Sequence, residues 1–290
     1  MKRAICLILL ALSLGYGAAL AGLWWQQDGL IFPRRVNTLN YTPNPTTHNY
    51  QVLNLTLPDG TLQQVVQSPR QVMAASPTLI MAFAGNAHDV GGMVLWLRHV
   101  YGSSTIVLGA PYRGYSSAFT PRQPGQPTQA HILADATHLT RWAQATFKPH
   151  QTLLVGYSLG SSVATHTALE VPISATILIT PFTSMAALAN TEYPWLPTAL
   201  VNALLRHPFP TKQWLAQGSA PVALIGAGND GLIPPTHLPE LAKAAQGRMG
   251  VYSVLSGTTH GGALDDVRLP TLLQKAVASW RGEPQSNHSH

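Results

Sequence analysis

The chain has 290 residues, 46% of them hydrophobic and only 10% charged, so it holds enough apolar material for one substantial core. Seventeen Lys and Arg against 11 Asp and Glu give a net charge of +6, but they are scattered with no basic stripe between aromatics. That pattern argues against nucleic-acid binding and leaves a mild preference for anionic membrane surfaces. The lone cysteine, Cys6, excludes an internal disulfide and a Cys-based metal site.

After Met1-Lys2-Arg3 the chain runs from residue 4 to residue 25 without a charge, 22 residues in all. At about 1.5 Å per residue, such a helix just spans a hydrocarbon core of about 30 Å. Trp24 and Trp25 stand at its far end, where an aromatic belt belongs. Ala19-Leu20-Ala21 also offers a signal-peptidase site, so residues 1–26 are either a membrane anchor or a cleaved signal peptide. Lys2 and Arg3 are nearly balanced by Arg34 and Arg35, so the positive-inside rule does not orient the segment. Under either reading the rest of the chain lies outside the cytoplasm.

Strand and helix signals then alternate, as a doubly wound sheet requires. Leu53, Leu55 and Leu57 alternate with polar residues, and Pro58-Asp59-Gly60 turns the chain into a second strand at 61–67, an edge hairpin. Buried strands are expected at 78–84, 105–109, 152–156 and 175–179. A helix carries Ile132, Ala136, Leu139, Ala143 and Phe147 at helical spacing. Asp135 borders the buried face of that helix, and Arg113 sits in the loop after the strand at 105–109. A carboxylate and a guanidinium so placed are expected to pair.

The apolar run Thr152-Leu153-Leu154-Val155 enters Gly156-Tyr157-Ser158-Leu159-Gly160, and small residues follow. A strand, a G-x-S-x-G and a helix-compatible stretch together make a nucleophile elbow, whose turn is too tight for side chains at the glycines. The hydrolase chain order is Ser, then an acid, then His. The strand at 221–225 delivers Asp230 in Gly-Asn-Asp-Gly, and the strand at 251–255 delivers His260. Asp230 also suits a plain turn, and His207 and His237 also follow Ser158. His260 is preferred because a strand end delivers it, whereas His237 follows two prolines and His207 lies in a separate segment. That segment, about 183–219, breaks the alternation and holds Tyr193, Trp195, Leu196, Leu200, Leu204, Leu205, Phe209 and Trp214. It reads either as two short helices packing on the core or as a small cap over an apolar acyl group.

At this point a resemblance is plain. Leu30-Ile31-Phe32-Pro33, Phe83-Ala84-Gly85-Asn86-Ala87, Tyr112-Arg113-Gly114-Tyr115, the elbow, Pro181-Phe182-Thr183-Ser184, Asp230 with Ile233-Pro234, and His260 all contribute. Over residues 27–281 the chain resembles the membrane-anchored α/β-hydrolases, a branch that includes depalmitoylating thioesterase-like proteins and bacterial hydrolases of unknown substrate. It departs from them at Ala84, where a histidine usually supports the oxyanion loop, and at Gly261-Gly262 after the base.

The resemblance implies an α/β-hydrolase fold: a mostly parallel eight-stranded sheet, flanking helices, a small helical cap and an N-terminal apolar helix. It favours an anchor over a cleaved signal at residues 1–26, with a hydrolase domain at 27–282, and the Pro, Ser, Asn and His composition after Gly282 reads as a disordered tail at 283–290. The expected chemistry is cleavage of esters or thioesters, with Ser158 as nucleophile, His260 as base and Asp230 orienting it. The backbone N–H groups of Leu159 and Asn86 would form the oxyanion hole. No cofactor or metal is required. The expected partners are a small-molecule or acylated substrate and a membrane. A peptidase, an acyltransferase or a silent hydrolase-fold binding module are the alternatives.

Overall fold

The computed structural model describes residues 2–33, 50–69, 77–86, 88–117 and 120–280. Arg34, Arg35, Ala87 and the expected tail with His288 and His290 lie outside the described residues.

Eight strands form one sheet: β1 (Gln51–Thr56), β2 (Leu62–Gln67), β3 (Thr78–Phe83), β4 (Thr105–Gly109), β5 (Gln151–Tyr157), β6 (Ala175–Ile179), β7 (Val222–Ala227) and β8 (Met249–Leu255). Their order is β1-β2-β4-β3-β5-β6-β7-β8. The expected hairpin stands at the edge, with Thr56 opposite Leu62, and β2 pairs antiparallel with β4. From β4 to β8 every pairing is parallel. Strands covered on both faces need apolar residues at consecutive positions, and β4 and β6 are buried throughout.

Helices supply the two covers. On one face α2 (Val90–Tyr101) and α9 (Leu269–Trp280) bring Val94, Leu97 and Leu273 against Ile80, Val107 and Val155. On the other, α3 (Gln129–Phe147), α4 (Leu159–Glu170) and α8 (His237–Ala244) set Ile132, Val163 and Leu241 against Leu79, Met81 and Leu154. Between β6 and β7 the chain forms three short helices rather than two: α5 (Met185–Glu192), α6 (Thr198–Leu204) and α7 (Thr211–Gln217). Only α5 and α6 stand off the sheet as a cap. Phe209 is fully buried, and α7 packs on α4 and α8 as part of the flanking layer.

The N-terminal helix α1 (Lys2–Ile31) runs past the boundary expected at residue 26. Gln27 and Asp28 explain why, because both find partners in the domain. The Gln27 side-chain amide donates to the Leu204 carbonyl at 3.2 Å and accepts from the Arg206 N–H at 2.8 Å. Asp28 meets His207 Nε2 at 3.0 Å and Arg206 at 3.2 Å, and the Arg206 guanidinium lies over the Trp24 ring. Residues 2–19 are exposed throughout, and α1 is long and apolar enough to cross a membrane.

Candidate active site

At the end of β5 the backbone turns sharply into α4, and Ser158 takes φ 54° and ψ −119°. A non-glycine residue held there costs about 1–3 kcal/mol, which the surrounding structure must supply. The flanking glycines are obligatory for close approach. A Cβ on Gly156 would lie 2.2 Å from the Gly160 carbonyl oxygen, and one on Gly160 would lie 1.9 Å from that of Phe83.

Three strand ends converge on this turn. The loop after β8 sets His260 Nε2 3.0 Å from Ser158 Oγ. The loop after β7 sets Asp230 Oδ2 2.7 Å from His260 Nδ1. The second carboxylate oxygen of Asp230 accepts the backbone N–H groups of Leu232 and Ile233 at 2.9 and 2.7 Å. Asp230 is thus a turn residue and the partner of His260 at once. The other candidates are placed elsewhere. His237 Nδ1 meets Thr183 Oγ1 at 2.9 Å, and His207 meets Asp28.

Asn86 lies in the loop after β3, across from the elbow. Among the described residues neither its backbone N–H nor that of Leu159 has a backbone acceptor. The Asn86 side chain is engaged at both its nitrogen and its oxygen. Its amide donates to the Ile31 carbonyl at the end of α1, and its oxygen accepts from the Tyr115 hydroxyl at 2.5 Å. The Tyr112 hydroxyl donates to the Ala84 carbonyl at 2.9 Å. Support for this loop therefore comes from the Tyr112–Tyr115 turn in place of a histidine at position 84. Arg113 holds that turn. It grips buried Asp135 with two bonds of 2.7 Å and reaches Asp59 of the β1–β2 turn at 2.6 Å. The expected Arg113–Asp135 pair is present, and Asp59 is an additional partner.

No family model matches the chain. An uncharacterized protein of Mycobacterium tuberculosis, Rv2307c, is 34% identical over 183 residues, 62% of each chain. The alpha/beta hydrolase domain-containing protein WAV2 of Arabidopsis thaliana is 30% identical over 151 residues, 46% of this chain and 47% of that one. The chain spans about three-fifths or less of the length of these curated relatives. The solved esterase Pf2001 of Pyrococcus furiosus matches with a TM-score of 0.64 at 16% identity, over 87% of this chain and 98% of that one. The chain has the α/β-hydrolase fold.

A cavity of about 440 Å³ opens beside the elbow. Ser158, Leu159 and Asn86 stand at it together with Phe182, Ile233 and the cap residues Leu188, Tyr193, Leu196 and Leu200. Trp195 meets Tyr16 of α1 edge-on, and Trp214 packs on His166, so neither faces the cavity. Among the described residues no cluster of three or more His, Cys, Asp or Glu is placed to hold a metal ion.

A contact between Tyr157 and His260 also had no sequence signal. The Tyr157 hydroxyl donates to the His260 carbonyl at 2.7 Å, and burial pushes that hydroxyl's pKa up, so it stays a donor. His88 packs edge-on against the Tyr157 ring, and burial lowers its pKa to about 4. The loop that carries His260 before Gly261-Gly262 is thereby tied to the elbow itself.

Proposed function

We propose that this protein is a serine hydrolase of carboxylic esters or thioesters, acting through an acyl-enzyme on Ser158. The observation that carries the reading is the 3.0 Å approach of His260 Nε2 to Ser158 Oγ with Asp230 2.7 Å behind the ring. A serine hydroxyl is a weak nucleophile at neutral pH and needs a base within hydrogen-bond reach. His260 takes the Ser158 proton as Oγ attacks the substrate carbonyl. Asp230 holds the productive tautomer and stabilises the imidazolium. The backbone N–H groups of Leu159 and Asn86 receive the developing oxyanion. Collapse breaks the bond to the leaving group, which His260 protonates. Water then attacks the acyl carbonyl while His260 takes its proton, the bond from Ser158 Oγ to the acyl carbon breaks, and His260 returns the proton to Oγ as the acid departs.

The apolar cavity favours esters and thioesters over a peptide, which would bring buried polar groups without partners. The membrane-anchored reading of α1 is part of the proposal, with the domain at 27–282 outside the cytoplasm. The test is hydrolysis of p-nitrophenyl esters by wild type and Ser158→Ala. The reading expects turnover that the variant loses. Equal turnover by both, or none from wild type on esters and thioesters alike, would reject it.

A further inference from the structure

The lining residues of α1 are Leu20, Leu23, Trp24, Gln27, Leu30 and Ile31. Their spacing of three, four, seven, ten and eleven from Leu20 is one face of one helix. Leu188, Tyr193, Leu196, Leu200 and Leu204 face this stripe from the cap. From Ile31, beside Asn86, to Leu20 the stripe rises about 16 Å at 1.5 Å per residue. That length suits an extended acyl chain far better than an acetyl group.

Gln27, the one polar side chain in the stripe, does not interrupt its apolar character. Its amide donates to the Trp24 and Leu204 carbonyls at 3.1 and 3.2 Å, and its oxygen accepts from Arg206 at 2.8 Å. Its hydrogen-bonding capacity is thus taken up by protein partners. The helix is also held in register at both levels of the cavity. Asp28, His207 and Arg206 fix it to the cap, and the Asn86 amide fixes its last carbonyl to the loop beside Ser158.

We propose that α1 is a wall of the substrate site: its Leu20–Leu23–Trp24–Leu30 face receives the acyl chain and sets the preferred chain length. The proposal rests on the hydrolase reading above. The exposed part of α1, residues 2–19, covers about 27 Å and continues the same helix away from the domain. An acyl chain leaving a bilayer along α1 therefore meets this wall directly.

The experiment uses the full chain in lipid nanodiscs and a series of p-nitrophenyl esters from acetate to palmitate. Leu23→Trp fills the middle of the cavity, so the ratio of kcat/KM for dodecanoate over butyrate should fall by about tenfold or more. Leu20→Ala opens the far end and should move the optimum to longer chains. Leu12→Trp, on the exposed part of α1, should leave the ratio at the wild-type value. An unchanged ratio in Leu23→Trp or an unmoved optimum in Leu20→Ala, with wild-type turnover intact, would overturn the proposal. Should Leu23→Trp fail to fold, Leu20→Ala decides alone. Absence of wild-type turnover on every ester would instead count against the hydrolase reading.

Discussion

The Tyr157 hydroxyl and the His260 carbonyl are joined by a 2.7 Å hydrogen bond, so the residue before Ser158 ties down the loop that carries His260. Tyr157→Phe removes one part-buried bond worth about 1 kcal/mol and should lower kcat about fivefold. KM should change little, because the hydroxyl holds the base loop and not the acyl chain. A loss confined to KM, measured on a short ester, would contradict this positioning role.

The Arg113 guanidinium makes unequal use of its two carboxylates. Asp135 is buried, whereas Asp59 is about half exposed. Breaking a buried pair by removing one partner costs about 3–5 kcal/mol. Arg113→Ala should reach that range in urea unfolding, because Asp135 is then left without its cation. Asp135→Ala should cost less, since Arg113 keeps Asp59. The double variant should fall well short of the sum. Additive losses would show that the Tyr112–Tyr115 turn is held some other way.

His88 gives stability a pH dependence. Its folded pKa is about 4 against 6.5 when unfolded, because burial disfavours the charged ring. Above pH 6.5 both states are neutral and the group is silent. As pH falls from 6.5 to 4 the unfolded chain takes up the proton first, so stability is lost across that window. The shift corresponds to about 3 kcal/mol. His88→Asn should flatten the unfolding free energy against pH between those limits relative to wild type, and an unchanged slope would refute the assignment.

The anchor reading predicts that the mature protein keeps residues 2–20 and stays with membranes through a carbonate wash. N-terminal sequencing that begins at Gly22, in a soluble fraction, would establish cleavage instead.

The residues that meet at the elbow were legible because each stands at a strand's carboxyl end, where a parallel sheet delivers its loops. The strand series and the Arg113–Asp135 pair were legible from apolar periodicity and from charge on a buried helix face. The contacts of Asn86 with Ile31 and of Tyr157 with His260 were not, since each joins residues far apart in the chain and leaves no local pattern. The cavity-facing stripe of α1 was hidden for a different reason. Nearly every residue from 4 to 25 is apolar, so one face of that helix has no contrast with the others. The choice between cap and core-packing helices at 183–219 was not legible, because amphipathic spacing is the same for a helix on the sheet and a helix over a cavity.

The central claim is that Ser158 is an activated nucleophile. Full-length protein treated with a fluorophosphonate probe should carry one adduct, mapped by mass spectrometry to Ser158. Labelling should vanish in Ser158→Ala and should slow severely in Asp230→Asn, by up to ~10⁴. Labelling that persists in Ser158→Ala, or a wild-type protein that takes no probe while folded, would contradict the account.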